Sequence, residues 1–364
     1  LHVHSYLCHV SHNVAEKSAN HWSNTVVQGP RLDPCECDTC NICNDRHGRR
    51  KGVNFEDDAN PNHCGKTIQF DLQSWNEPSM GGEKTVLRGI EGHFGLAFAT
   101  YHLTKGTAEI IQGAESILDD FAKHGGGGEV NNIICDVEGS LVCEEFQEIC
   151  KSRRINLIPH TKKSPEDTGL VERLNQEING MRKAILFDSK VHDSFRMIAD
   201  RHCMKVRNAF IVSGSRPAPP LTCSTGRAMS PKFLHPFFSD VWGLDTNRLA
   251  KLGVIKDETT RTRGYYVGFD DWGVLVFDPL SGNIVRCGRR QYIIKERFCP
   301  RDAMPLDVTV YEANPCNFQR PDTRANKGRT VSAWAQGKIP WTLLSSEERH
   351  RLELTMKRSK EQKN

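Results

Sequence analysis

The feature that most constrains the fold is a repeated change of hydrophobic period between residues 66 and 216. Segments 67–73, 84–89, 95–102, 131–136 and 155–160 read as strands. Between and after them, apolar residues recur at helical spacing. Over 108–121, Ile110, Ile111, Ala114, Ile117, Leu118 and Phe121 fall on one face. The device returns over 141–150 with Val142, Phe146 and Ile149, and over 165–186 with Val171, Leu174, Ile178, Met181 and Ile185. A further helix is expected over 191–212. Four consecutive glycines, 125–128, stop the first helix. The order strand-strand-strand-helix-strand-helix-strand-helix predicts an α/β layer built on one mixed sheet.

The rest of the 364 residues organises around that layer, and the length suits two or three domains. Residues 1–52 are rich in His and Cys, with a short helical patch at 13–21. Residues 53–65, with Asp, Asn, Pro and Gly, read as a linker. The layer is assigned to 66–220 and ends near the Pro-rich stretch RPAPPLT (216–222). Residues 221–300 hold short strands at 265–269, 273–277, 283–287 and 291–295, joined by turns such as DPLSG, and are expected to form a small barrel-like β domain. Residues 301–364 are mixed and basic, with a last helix opening at SSEE (345–348). No run of 18 apolar residues exists, so no transmembrane helix is expected. The start at Leu1 suggests a segment of a longer polyprotein.

The net charge of +4 gains meaning when divided. Residues 318–364 carry eleven basic and five acidic side chains, a net +6, which leaves the preceding 317 residues with 38 basic against 40 acidic, a net −2. A basic tail of this kind suits contact with phosphates. Of fourteen Cys, four crowd into Cys35, Cys37, Cys40 and Cys43, which favours a metal over disulfides.

Three carboxylates stand at telling places. Asp71 ends the first strand in IQFD, Asp136 ends the fourth in NIICD, and Glu172 opens the long helix in TGLVERLNQEI. Between Asp71 and Asp136 lie 64 residues, and between Asp136 and Glu172 lie 35. Carboxylates that converge repel unless cations sit between them. Hard ions such as Mg²⁺ or Mn²⁺ take carboxylate oxygens, and two of them about 4 Å apart support phosphoryl transfer.

Asp71, Asp136 and Glu172 in Gly169-Leu170-Val171-Glu172-Arg173 resemble the integrase core of retroviruses and retrotransposons. More narrowly, the chain resembles the copia-type retrotransposon integrase, a part of a Pol polyprotein. LHVHSYLCHVSH, with His4 and His9, resembles the opening of that family's zinc module, and Cys40-Asn41-Ile42-Cys43 its close. EFQEIC, RINLIPHT, GYYVGF and VLVFDPLSGNIV resemble later family segments in the same order, over residues 1–300 or so. The resemblance implies an RNase-H-like core preceded by a small helical zinc module and followed by a small SH3-like β domain. It implies that Asp71, Asp136 and Glu172 hold two Mg²⁺ or Mn²⁺ ions. It also implies 3′-end processing of element cDNA and strand transfer into target DNA, by a homo-oligomer acting in the nucleus after a cytoplasmic particle phase.

His4, His9, Cys40 and Cys43 form a His-x4-His and Cys-x2-Cys set suited to structural Zn²⁺, although Cys37-x2-Cys40, His2, His12 and Cys35 offer alternative ligands. Phosphate contacts are expected from Lys162, Lys163, Arg173, Arg320, Arg324, Lys327 and Arg329, and no base-reading motif stands out. The chain departs from the family pattern around its carboxylates. Val137-Glu138-Gly139 replaces the usual Asn-Gly after the second Asp, Thr168-Gly169 replaces Asn-Gly before the Glu, and the Gly-Pro after the first Asp is missing. These changes spare the three ligands and raise a second expectation, a catalytically decayed remnant that only binds DNA or assembles.

Overall fold

The structure, a computed structural model, describes residues 5–23, 39, 67–124, 130–136, 139–160, 169–212, 214, 216–244, 261–270, 272–278, 283–288 and 292–295. Helix α1 (His12–Ser23) is followed by β1 (Thr67–Ser74), β2 (Thr85–Glu91), β3 (Ala97–His102), α2 (Thr107–His124), β4 (Asn132–Asp136), α3 (Glu144–Ser152) and β5 (Asn156–His160). Then come α4 (Gly169–Asp188), α5 (Arg196–Phe210) and α6 (Pro220–Thr225). The last elements are β6 (Asp240–Leu244), β7 (Arg261–Phe269), β8 (Gly273–Asp278), β9 (Asn283–Gly288) and β10 (Tyr292–Lys295).

The first sheet has the order β3-β2-β1-β4-β5. Its first three strands run antiparallel to one another, whereas β4 runs parallel to β1 and β5 parallel to β4. It is the expected mixed sheet. The antiparallel strands are joined by short connections, and each parallel step needs a helical crossover, supplied by α2 and α3. Ile68 and Phe70 of β1, Leu87 of β2 and Ile133 and Cys135 of β4 pack with Ile110, Ile117 and Phe121 of α2 and Phe146 of α3. The opposite face belongs to α4 and α5, whose Val171, Leu174, Ile178, Ile198 and Val206 share a second core.

The long helix expected over 191–212 begins instead at Arg196, after a 3-10 turn at Asp193–Phe195. His192 is extended there, and its ring accepts a bond from the Ser194 N–H at 3.1 Å, which caps the turn in place of a first α-helical turn. Strand β6 is an addition to the expected set. It completes a second, antiparallel five-stranded sheet of order β10-β6-β7-β8-β9.

This second sheet packs on the first unit through aromatic side chains. Phe195 meets Phe238 and Phe277 edge-on at 5.2 Å, and Phe210 lies 5.5 Å from Phe269. Leu7, Cys8, Val10 and Ala15 from the N-terminal segment enter the same core. Lys17 Nζ donates to the Gly214 carbonyl at 2.7 Å, and Ser18 Oγ accepts from Val212 N–H at 2.8 Å.

Candidate active site

One row of positions runs across all five strands of the first sheet. Ala99 of β3 faces Arg88 of β2, and Arg88 faces Asp71 of β1. Phe70 pairs with Cys135, so the next step along this parallel ladder sets Asp71 beside Asp136. Asp136 in turn faces His160 of β5. Strands lie about 4.8 Å apart and residues on one row share a face, so Asp71, Asp136 and His160 are neighbours on one surface. That surface is the one under α4, because Phe70 and Cys135, one residue back, point into the α2 and α3 core. All three side chains are half-buried.

Helix α4 is held on this surface by a polar ladder. Val171 N–H donates to Gln69 Oε1 at 3.2 Å, the Asn175 amide nitrogen donates to Asp71 Oδ2, and Asn179 Nδ2 donates to Gln73 Oε1 at 3.3 Å. Two residues of strand advance about 6.7 Å, and four residues of helix about 6 Å. The helix and strand therefore stay in step for three successive bonds. Glu172 follows Val171 in the first turn of α4 and is exposed. Its charge is favoured there by the helix N-terminus.

Register thus brings Asp71 and Asp136 together, and the ladder sets Glu172 at the start of the helix above them. Among the described residues, no three His, Cys, Asp or Glu side chains gather into a group that would hold a metal ion. Bare carboxylates repel one another, so three of them do not close up unaided. The donors are all carboxylate oxygens, a set whose chemistry fits hard divalent ions such as Mg²⁺ or Mn²⁺. Beyond Asp136, Gly139 turns the chain at φ 95°, in the left-handed half of backbone space that glycine favours, and no atom lies within 4 Å of where a Cβ would stand.

Several expected residues lie elsewhere. Arg173 is half-buried in the first turns of α4. Lys162, Lys163, Arg320, Arg324, Lys327 and Arg329 lie outside the described residues, as do His4, Cys40 and Cys43. His9 is described and buried, with Nε2 3.3 Å from Asp188 Oδ2 at the end of α4. The Thr39 hydroxyl donates to the other oxygen of Asp188 at 3.2 Å, so one carboxylate gathers His9 and the neighbour of Cys40. An imidazole beside a carboxylate is donor chemistry of the kind that zinc sites use.

Sequence reasoning missed the residues behind Asp71. Arg88 has no exposed surface, although it sits in the middle of β2. One of its nitrogens donates to Asn175 Oδ1 at 2.7 Å and to Gln73 Oε1 at 2.8 Å, and the other is paired with Asp200 of α5. Asp200 also accepts from the Tyr101 hydroxyl at 2.8 Å and lies 3.5 Å from Arg182. The signal was available: a lone arginine inside the strand TVLRGIE is a charge that must find a buried partner. Asn175 and Asn179, spaced four apart, mark the polar seam of an otherwise apolar helix face.

The strand order, the second strand antiparallel to the first and fourth, helices on both faces and acidic residues on the first and fourth strands define an RNase-H-like core. Solved structures similar to the chain include the BIV integrase catalytic core domain, at 15% identity over 44% of this chain and 93% of that one, with a TM-score of 0.35. The HTLV-2 integrase catalytic core domain, solved with magnesium in a trimeric form, is 18% identical over 44% of this chain and 97% of its own, with a TM-score of 0.35. A chain of the simian T-cell lymphotropic virus intasome, solved with PP2A regulatory subunit B56 gamma, is 14% identical over 82% of this chain and 98% of its own, with a TM-score of 0.42. At such identities and scores these likenesses carry no functional argument, and the class of the core rests on its own strand order. No protein-family model matches the chain, and no curated protein matches it.

Proposed function

We propose that the chain is an integrase of the copia type, which trims the 3′ ends of an element's cDNA and joins them to target DNA. The observation that supports this reading best is the placement of Asp71 and Asp136 on adjacent positions of one sheet face, under a helix that carries Glu172 in its first turn. Two Mg²⁺ or Mn²⁺ ions, when bound, lower the barrier to in-line attack on a phosphodiester. The chain's own part is to supply the oxygens: Asp71 and Asp136 from a rigid sheet, Glu172 from a helix tied to that sheet through Gln69 and Asn175. A structural Zn²⁺ held by His4, His9, Cys40 and Cys43 would secure the N-terminal module, with Asp188 orienting His9. Double-stranded DNA is the partner, met by Lys162, Lys163, Arg173 and the basic tail at Arg320, Arg324, Lys327 and Arg329. The working form is a homo-oligomer, with its site of action in the nucleus.

A strand-transfer assay with Mn²⁺ and a blunt duplex, comparing the unaltered protein with Glu172→Gln, tests the assignment. Joined product is expected from the former, and none above background from the variant, which lacks one carboxylate of the metal set. Equal product from both would remove Glu172 from the chemistry. The second reading, a remnant that binds DNA without joining it, draws on the altered residues after Asp136. It predicts no product from either protein together with intact binding to duplex DNA.

A further inference from the structure

Asp71 does not stand alone on its strand. The residue directly across the antiparallel ladder is Arg88, yet the arginine is not spent on the carboxylate: its guanidinium is directed to Asp200, Gln73 and Asn175. Among the described residues Asn175 links the two, with its amide oxygen accepting from Arg88 at 2.7 Å and its amide nitrogen donating to Asp71 Oδ2. A carboxamide can be turned end for end, and what decides its direction is the neighbour on each side. Here a cation that only donates faces the oxygen, and a carboxylate that only accepts faces the nitrogen. Reversal would set donor against donor and acceptor against acceptor. Arg88 cannot swing away to permit it. It is fully buried, its second nitrogen is paired with a fully buried Asp200, and Asp200 is itself held by the Tyr101 hydroxyl.

We propose that Arg88 is a positioning residue for Asp71: anchored by Asp200 and Gln73, it locks Asn175 in the orientation that donates to the Asp71 carboxylate, and so sets the affinity of the acidic surface for divalent cations. This rests on the reading of Asp71 as a metal ligand. Partners one shell out from a ligating group typically change metal affinity 10- to 100-fold when removed. Arg88 acts at one further remove, so its effect runs entirely through Asn175. A lysine at 88 would keep the charge opposite Asp200, but it has one nitrogen where two are used, and it would leave the Asn175 amide undirected.

The test measures Mn²⁺ bound to the 364-residue chain, from the loss of the free-ion electron paramagnetic resonance signal, with thermal melts recorded in parallel. Asp71→Asn is expected to abolish binding. Asn175→Leu is expected to weaken it about tenfold, and Arg88→Lys by a similar factor. The double variant is expected to bind no more weakly than Asn175→Leu alone, because the second change has nothing left to act through. If Arg88→Lys binds as the unaltered protein does, or if the two effects multiply in the double variant, the positioning role is overturned. A lowered melting temperature with unchanged Mn²⁺ affinity makes Arg88 a structural residue only, and overturns it as well. Should Arg88→Lys fail to fold, Asp200→Asn keeps the bond from Tyr101, loosens the same anchor and carries the same expectation. Binding that survives Asp71→Asn intact is the distinct outcome that defeats the reading of the site itself.

Discussion

At the scale of single residues, burial decides chemistry next to the site. Cys135 precedes Asp136 and points into the opposite core; burial, with smaller contributions from Cys150 and Asp136, pushes its thiol up to about 12. Burial likewise raises Cys150 to about 11, against the opposing pull of Arg153. Alkylation needs thiolate and access, and both residues lack both. Iodoacetamide at pH 8, followed by peptide mass mapping, should leave Cys135 and Cys150 unmodified in the folded protein and label them fully in denaturant. Labelling of the native protein at the rate of an unstructured peptide would mean that this core opens readily. Asp136 does end its strand, but Asp71, expected to close the first strand, lies inside β1, which runs on to Ser74 because Leu72, Gln73 and Ser74 continue the pairing with β2. The partner of a buried side chain is harder still to read, because it lies far along the chain. Arg88 and Asp200 are 112 positions apart, and no local pattern joins them.

At the scale of elements, period alone located most of the core. All five strands of the first sheet and its helices lie where apolar spacing changes between two and three-to-four residues. Strand β6 escaped because DVWGL carries little alternation, and it is recruited by its partners β7 and β10. The junction between β3 and α2 shows a local device that the sequence does carry. Glu109, in the first turn of α2, accepts bonds from Leu103 N–H at 3.0 Å, Thr104 N–H at 3.2 Å and the Thr104 hydroxyl at 2.8 Å. Partial burial raises its pKa, but these bonds outweigh that and hold it below the usual 4.5. A carboxylate depressed in the folded state stabilises fully above its unfolded pKa and loses that contribution as pH falls through the folded value. The Thr104 bonds face solvent, which screens them, so Glu109→Gln should cost only about 0.5–1 kcal/mol at pH 7. The difference from the unaltered protein should begin to shrink below about pH 4.5 and vanish in stronger acid. Urea melts at pH 7, 4.5 and 3 would show it, and a gap that stays constant across that range would refute the assignment.

For the molecule as a whole, composition divides the chain near residue 220, and side-chain packing joins what composition divides. Phe195, Phe210 and Val206 from the helices share one core with Phe238, Tyr266, Phe269 and Phe277 from beyond that point. Phe195 is central to it: only 2% exposed, it meets Phe238 and Phe277 edge-on at nearly perpendicular ring planes. Replacing such a ring by a methyl group costs about 3–5 kcal/mol, through lost burial and the cavity left behind. Where that cost falls distinguishes two architectures. If helix α5 and the second sheet were separate units touching at a surface, Phe195→Ala would loosen their contact and leave each with its own stability. With a continuous core, the loss is felt on both sides at once. Hydrogen exchange in Phe195→Ala should then show amides of α5 and of β7 and β8 losing protection by the same free energy, in a single cooperative melt. Protection lost in β7 and β8 while α5 keeps its own would show that the second sheet is merely attached. In that case the scaffold under Asp71 and Glu172 would stand without it.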